Sequence, residues 1–353
     1  MSDPVRIDFA YPGDLNAPSG GYGYDRRVIH ELEALGCVVR PIALPANFPD
    51  PSANDLEETR RLLAHNARDA LIVDGLAFGA FPADLAAGLA PHAISLVHHP
   101  LFLETGLAPE TAARLRAAEQ GALGHAAAVV TTSAMTADLV ARAFGYDRAR
   151  IFPAPPGVDP AERAPGSRDG IVRLCSVGSL TPRKAYAELV DALAQVGGDW
   201  RLTIAGSLDF DPAYARTIAD RIEGSGMSGK IALAGALGAR EVAASYAASD
   251  AFVTASHFEG FGMAISEAVA HGLPIVASQE VAAAGAAPPD AMLTHPAGNV
   301  AALAGNLRRL VNDGQLRARL ADASWRAAES QFRWRDTALI VLDAIRFVRD
   351  RTR

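Results

Sequence analysis

The chain has 353 residues, half of them hydrophobic and 7% aromatic, with a formal net charge of −7. That length predicts two domains with ample core, and the acidic balance argues against a general nucleic-acid binder. No apolar run approaches the roughly 18 residues that span a bilayer. The start Met1-Ser2-Asp3-Pro4 lacks the pattern of a secretion signal, and Cys37 and Cys175 lie in or beside apolar runs as reduced, inert thiols do, so a cytoplasmic protein is expected.

Val5 to Ala10 reads as the first strand, stopped by Pro12-Gly13. A Gly-rich loop through Gly20-Gly21 follows, then a helix from about Tyr22 to Leu35, ended by Gly36. Strand, Gly-rich loop and helix also open dinucleotide sites, but the G-x-G-x-x-G spacing is absent. Cys37-Val38-Val39 is the second strand, Pro45–Asn54 a Pro-rich loop and Leu56–Asn66 a helix. Ala70–Asp74 is a strand ending at Gly75, Phe81–Leu89 a short helix and Ala93–Val97 a strand running into His98-His99-Pro100. Ligand groups in open α/β sheets gather at the carboxyl ends of strands, and histidine exchanges protons near neutral pH. The alternative is a hydrogen-bonded His pair that closes the sheet edge. Glu104–Leu123 reads as a helix, Ala126–Ser133 as a strand and turn, and a further helix ends near Phe144. Ile151 to Asp159 is dense in Pro and Gly, as linkers are.

The second half restarts the rhythm. Arg173–Gly178 is a strand and turn, and Ser179–Lys184 a loop. Ala185–Gln195 is a helix. Arg183 and Lys184 just before a helix start suit a diphosphate, because side-chain charge and backbone dipole add. Strands over Trp200–Gly206 and Ile231–Leu237 alternate with helices over Tyr214–Gly224 and Arg240–Ser249. Ala251-Phe252-Val253 is then a buried strand, Ser256–Gly262 a loop, Met263–His271 a helix and Leu273–Ala277 a strand. Gly260 and Gly262 leave the backbone bare to a ligand, and the helix start presents free N–H groups that favour an anion. Glu259 and Glu267 stand eight residues apart, at most roughly 12 Å along a helix. That is too far for a pair flanking one bond, and it suits two grips on one long ligand with a diphosphate between them. Ala282–Pro289 is loop, Val300–Asn312 and Gln315–Ser330 are helices, and Phe332-Arg333-Trp334 begins the last helix.

The string Glu259-Gly260-Phe261-Gly262 to Glu267, followed by Ala268-x-x-x-Gly272-x-Pro274-Ile275-Val276-Ala277, resembles the E-x7-E signature of retaining glycosyltransferases of GT-B fold, specifically glycosyltransferase family 4. The resemblance implies two Rossmann-like parallel-sheet domains facing across a cleft. Residues 1–160 would bind the acceptor, 161–330 the nucleotide sugar, and 331–353 would cross back as a helix. It also implies transfer of a sugar from a nucleotide-diphosphate sugar to an acceptor hydroxyl. Glu267 would hold the ribose hydroxyls and Glu259 the sugar. The backbone of Gly260, Phe261, Gly262 and Met263, with Arg183 and Lys184, would neutralise the diphosphate. His98 would sit at the transfer point, Gly21 beside acceptor or donor phosphate, and Ala236 and Leu237 against the base.

The match is strong in the second half and looser in the first. Ser179 stands where the family has an Arg, a loss that Arg183 would offset, and Pro156 replaces an Asn of the interdomain run. No Asp-x-Asp motif stands at a strand end, so no metal is expected, and no cofactor beyond the nucleotide sugar as co-substrate. The donor would be UDP-, GDP- or ADP-linked, and the acceptor a sugar, lipid or small molecule; a lipid acceptor would bring peripheral membrane contact. A sugar phosphorylase, a nucleotide-sugar epimerase and a non-catalytic sugar-nucleotide binding module are the alternatives.

Overall fold

The structure, a computed structural model, describes residues 4–64 and 68–352. Met1 to Asp3, and the predicted helix end at Asn66, lie outside the described residues. The chain divides into two compact units: Met1–Gly157 with Phe332–Arg353, and Val158–Gln331.

The first unit holds β1 (Arg6–Pro12), β2 (Val38–Leu44), β3 (Ala70–Asp74), β4 (Ala93–Val97), β5 (Ala128–Thr131) and β6 (Ile151–Pro153). All pair in parallel, in the order β2-β1-β3-β4-β5-β6. The central strands Ala-Leu-Ile-Val-Asp and Ala-Ile-Ser-Leu-Val are buried at every position, as continuous apolar runs in a parallel sheet should be. The order reverses between β1 and β3, which opens a crevice at their carboxyl ends.

Several boundaries differ from the sequence reading for local reasons. The second strand runs on through Pro41 to Leu44, which an edge strand tolerates because its outer side needs no amide donor. The first long helix begins at Gly20, capped by the Ser19 side chain on the Tyr22 amide. The helix expected from Glu104 begins only at Pro109, a residue suited to the first helical position, and Leu101–Leu103 forms a separate 3-10 turn. Ile151–Pro153, read as linker, is the sixth strand of the sheet.

The helix Trp334–Thr352 packs on the first unit. The Tyr24 and Trp334 rings meet edge to face at 5.8 Å, Arg27 lies 5.3 Å over the Trp334 ring, and Phe152 meets Phe347 at 5.5 Å. The Thr337 hydroxyl donates to the Pro155 carbonyl at 2.6 Å.

The second unit holds β7 (Val172–Val177), β8 (Trp200–Ala205), β9 (Ile231–Gly235), β10 (Ala251–Val253), β11 (Ile275–Ser278) and β12 (Met292–His295). They are again all parallel, ordered β12-β11-β10-β7-β8-β9. The four-residue edge strand β12 escapes the sequence reading because it is too short for its alternation to stand out. Here the order reverses between β7 and β10. Trp200, Tyr186 and Tyr246 are the bulkiest side chains of this core. Both cysteines are free and buried. Among the described residues, no helix is long and apolar enough to cross a membrane.

Candidate active site

The second unit gathers most of the expected residues at its β7/β10 crevice. The chain leaves β7 and makes one 3-10 turn, Pro182–Lys184, closed by Ala185 at φ +52°. Ala185 is the one non-glycine with positive φ among the described residues. Such a backbone costs of order 1 kcal/mol or more, and here it turns the chain into the helix Tyr186–Leu193 with the Ala185 methyl in the core. The turn leaves Arg183 and Lys184 beside the loop that follows β10.

Glu259 in that loop joins them. Its Oε2 accepts from Arg183 Nη1 at 3.0 Å, its Oε1 is ion-paired with Lys184 Nζ, and Arg183 Nη1 also donates to the Phe258 carbonyl at 2.8 Å. Burial works against the Glu259 charge, but Lys184 and then Arg183 outweigh it and hold the carboxyl at about 2. Two cations against one carboxylate leave this trio net positive, the sign an incoming diphosphate needs. Beside it, His257 Nε2 and Glu188 Oε1 lie 2.7 Å apart.

Gly262 then turns the chain at φ +94° into the helix Met263–Ala270, and no side chain caps the helix start. An L side chain would be strained at that φ, and an uncapped start keeps backbone donors available to an anion. Gly260, Phe261 and Met263 flank the turn, each half-buried. Glu267 lies one turn into the helix and accepts from the Tyr246 hydroxyl at 2.9 Å. Its carboxyl is pushed up by burial; the Tyr246 hydrogen bond opposes this and the Asp159 charge adds to it. Leu237 is half-buried between β9 and the helix Ala239–Ala247, two strands along from β7.

The first unit carries His98 and Gly21 at its own crevice. A side chain at Gly21 would place its Cβ 3.4 Å from His98 Cδ2, so the helix start passes against the ring. His98 Nε2 lies 3.2 Å from Asp25 Oδ1 and 3.4 Å from Asp74 Oδ2. Asp25 is 0% exposed. Burial works against the ring's charge, but the two carboxylates outweigh it and push His98 up to about 10. His99 instead faces Glu104, at 3.3 Å.

Sequence reasoning missed Asp25 and Asp74. Asp74 ends β3, next to the strand that delivers His98, and this was a usable signal. Asp25 lies one helical turn beyond Gly21, so the two share a face. Among the described residues, Asp25, Asp74 and His98 are the one group with donor atoms, within 4.8 Å of one another, that could hold a metal ion. A protonated ring beside two carboxylates offsets their charge without one.

Residues 160–326 match the family model for glycosyl transferases group 1, and residues 11–157 match the glycosyl transferase 4-like domain. The chain belongs to this family of glycosyltransferases. A D-inositol 3-phosphate glycosyltransferase of Pseudarthrobacter chlorophenolicus is 33% identical over 196 residues, 51% of this chain and 46% of the relative; the chain thus spans under half of that protein's length. Sucrose-phosphate synthase of Thermosynechococcus elongatus superposes with a TM-score of 0.83 at 19% identity, covering 97% of this chain and 98% of that one. Anabaena Alr3699/HepE, solved with UDP and glucose, superposes with a TM-score of 0.74 at 17% identity, covering 96% and 99%. At these identities the likeness is one of fold: two Rossmann-like domains of the GT-B kind.

Proposed function

We propose that the protein transfers a sugar from a nucleotide-diphosphate sugar to an acceptor hydroxyl, with retention of configuration and without a metal. The observation that carries this reading is the net-positive Arg183–Lys184–Glu259 trio beside an uncapped helix start, at the sheet's switch point. In this reading the diphosphate takes the helix amides, Arg183 and Lys184, which replace the charge a metal would supply. Glu259 binds sugar hydroxyls and Glu267 the ribose. Gly21 adjoins the phosphate or acceptor, Leu237 adjoins the base, and His98 contacts the sugar or acceptor.

A carboxylate held at about 2 is a poor base, and so is a ring that stays protonated toward pH 10. The acceptor's proton therefore leaves with the departing diphosphate while the new bond to the anomeric carbon forms. The Anabaena neighbour was solved with UDP, which makes UDP-sugars the first donors to test, ahead of GDP- and ADP-sugars. A sugar, lipid or small-molecule acceptor fits the scheme.

Release of nucleoside diphosphate that requires an acceptor alcohol, and not free phosphate, tests the reaction class. The anomeric configuration of the product and full activity in EDTA test the rest. Turnover with phosphate in place of an alcohol would overturn the reading in favour of a phosphorylase. Glu267→Ala is expected to weaken nucleoside diphosphate binding by about tenfold or more in calorimetry, the cost of losing a charge-assisted hydrogen bond; equal affinity would remove Glu267 from the ribose. Arg183→Ala is expected to raise the donor KM with folding intact, and an unchanged KM would show that Arg183 does not offset the missing Arg at Ser179.

A further inference from the structure

We propose that Asp25, acting with Asp74, holds the His98 ring with Nε2 turned inward, so that Nδ1–H faces outward as a charged donor and Asp25 is a positioning residue of the transfer site. The inference rests on the reading above, in which His98 touches sugar or acceptor. It begins from an asymmetry of burial: the His98 side chain is 20% exposed, whereas those of Asp25 and Asp74 are 0% and 4%. A ligand can reach the ring but not the carboxylates behind it. Neither oxygen of Asp25, nor His98 Nε2 itself, has a regular hydrogen bond from any described residue, so what joins them is the attraction of charges about 3 Å apart. A bare buried carboxylate is costly unless a cation compensates it, and the His98 ring is the cation acting on Asp25.

Asp74 cannot turn to share the load freely, because its Oδ1 caps the short helix Gly75–Phe78 through the Leu76 amide at 2.6 Å. Its Oδ2 is what remains for the ring. The ring is boxed in by the edge of Tyr24, at 5.4 Å between centroids, and by the Gly21 backbone. Its main chain is tied by the Thr132 hydroxyl, which donates to the His98 carbonyl at 3.1 Å. With Nε2 facing the two carboxylates at 3.2 and 3.4 Å, imidazole geometry puts Nδ1 on the other side. A doubly protonated ring is then a donor at both nitrogens.

The titratable neighbours do not undo this. Tyr22, pushed up to about 12 chiefly by burial with Asp74, Asp25 and Asp14 adding, stays neutral. Its hydroxyl donates to the Pro12 carbonyl at 2.5 Å, and that of Tyr24 donates to the Ala154 carbonyl at 2.9 Å. Glu104 is engaged with His99. Asp25 itself is pushed up to about 7, by burial first, against the opposing His98 charge. Burial also works against the Asp74 charge, but His98 and the Leu76 amide hold Asp74 down.

The sign follows. A ring whose proton affinity is raised by folding adds stability that is full below its ordinary value near 6.5 and is lost as pH rises through about 10. Removing one of two carboxylates at this range lowers the ring's proton affinity by roughly ten- to a thousandfold.

The test is 15N-histidine NMR on the full chain between pH 5 and 10, paired with kinetics. In the wild type the His98 signals should stay those of a doubly protonated ring at pH 8. In Asp25→Asn the ring should lose its proton between about pH 7 and 9, with kcat at pH 8 down by up to about tenfold, recovery at pH 6 and little change in donor KM. Asp74→Asn, which keeps an oxygen for the Leu76 amide, should show the same trend and serves if Asp25→Asn fails to fold. Asp25→Asn added to His98→Gln should cost no further activity, as expected for residues acting through one another.

A wild-type ring already neutral at pH 8, or one unaffected by both variants, would overturn the proposal. So would zinc uptake by the wild type that the variants lose. A ring that loses its charge in the variants while kcat at pH 8 is unchanged would instead overturn the role given to His98 in transfer.

Discussion

Glu259→Ala is expected to cut kcat for sugar transfer by about 10²- to 10³-fold, the scale of losing a group that acts on the developing transition state, while the donor KM stays level or falls. The split in kinetic constants is the informative part. Both Glu259 oxygens are engaged with Arg183 and Lys184, so the alanine variant frees two cations for the diphosphate, and nucleotide binding should not weaken. What disappears is the carboxylate that would hold the sugar over the leaving group. If Glu259 served only to pair two cations, the variant would melt earlier but turn over at the wild-type rate. Breaking one side of a largely buried pair costs about 3–5 kcal/mol, so a thermal melt has to accompany the kinetics. Glu259→Gln, similar in shape and uncharged, separates charge from packing: it should retain more stability than alanine but little of the rate.

Gly157→Ala should cost stability heavily. A Cβ there would fall 2.1 Å from the Trp334 nitrogen, 2.3 Å from the Arg333 carbonyl carbon and 2.4 Å from the Trp334 Cα. All three are backbone atoms, so no rotamer change relieves the clash. The start of the helix Trp334–Thr352 would have to leave its seat, giving up the Tyr24–Trp334 edge contact, the Arg27 stack and the Thr337 hydrogen bond. We expect a loss of more than about 4 kcal/mol, read as a melting temperature lower by roughly 10 °C, with early proteolysis within that helix. Gly121→Ala is the control. It lies in the helix Pro109–Leu123 with nothing within 4 Å of its added Cβ, so it should leave stability level or raise it by up to about 1 kcal/mol. Equal melting of wild type and Gly157→Ala would show that the helix start is not held as described.

Much of the architecture was legible in the residues because parallel α/β folds write themselves locally. Ala70–Asp74 and Ala93–Val97 are apolar at nearly every position, since both faces of a parallel sheet are covered. The same holds for the unit from β10 to β11, where glycines, a helix start and two glutamates fall in one short span. What was less legible lies at the sheet edges. Pro41 within β2 and the short strands β6 and β12 carry weak periodic signals, because an edge strand needs neither full burial nor every amide.

By itself the sequence determined the alternation of strand and helix, the family and the local group from Glu259 to Glu267, because each of these is held by residues close along the chain. Only the tertiary structure decided that Arg183 and Lys184 close on Glu259, 76 and 75 residues away, and that Asp25 backs His98 from the interior. Asp25 shares the inward face of its helix with Val28, Ile29 and Leu32 and is wholly buried, but nothing near it along the chain says that His98 is its partner. The physical reason is common to both cases. A carboxylate's role is set by the cation that compensates it, and that cation comes from another strand end of the same sheet, dozens of residues away along the chain.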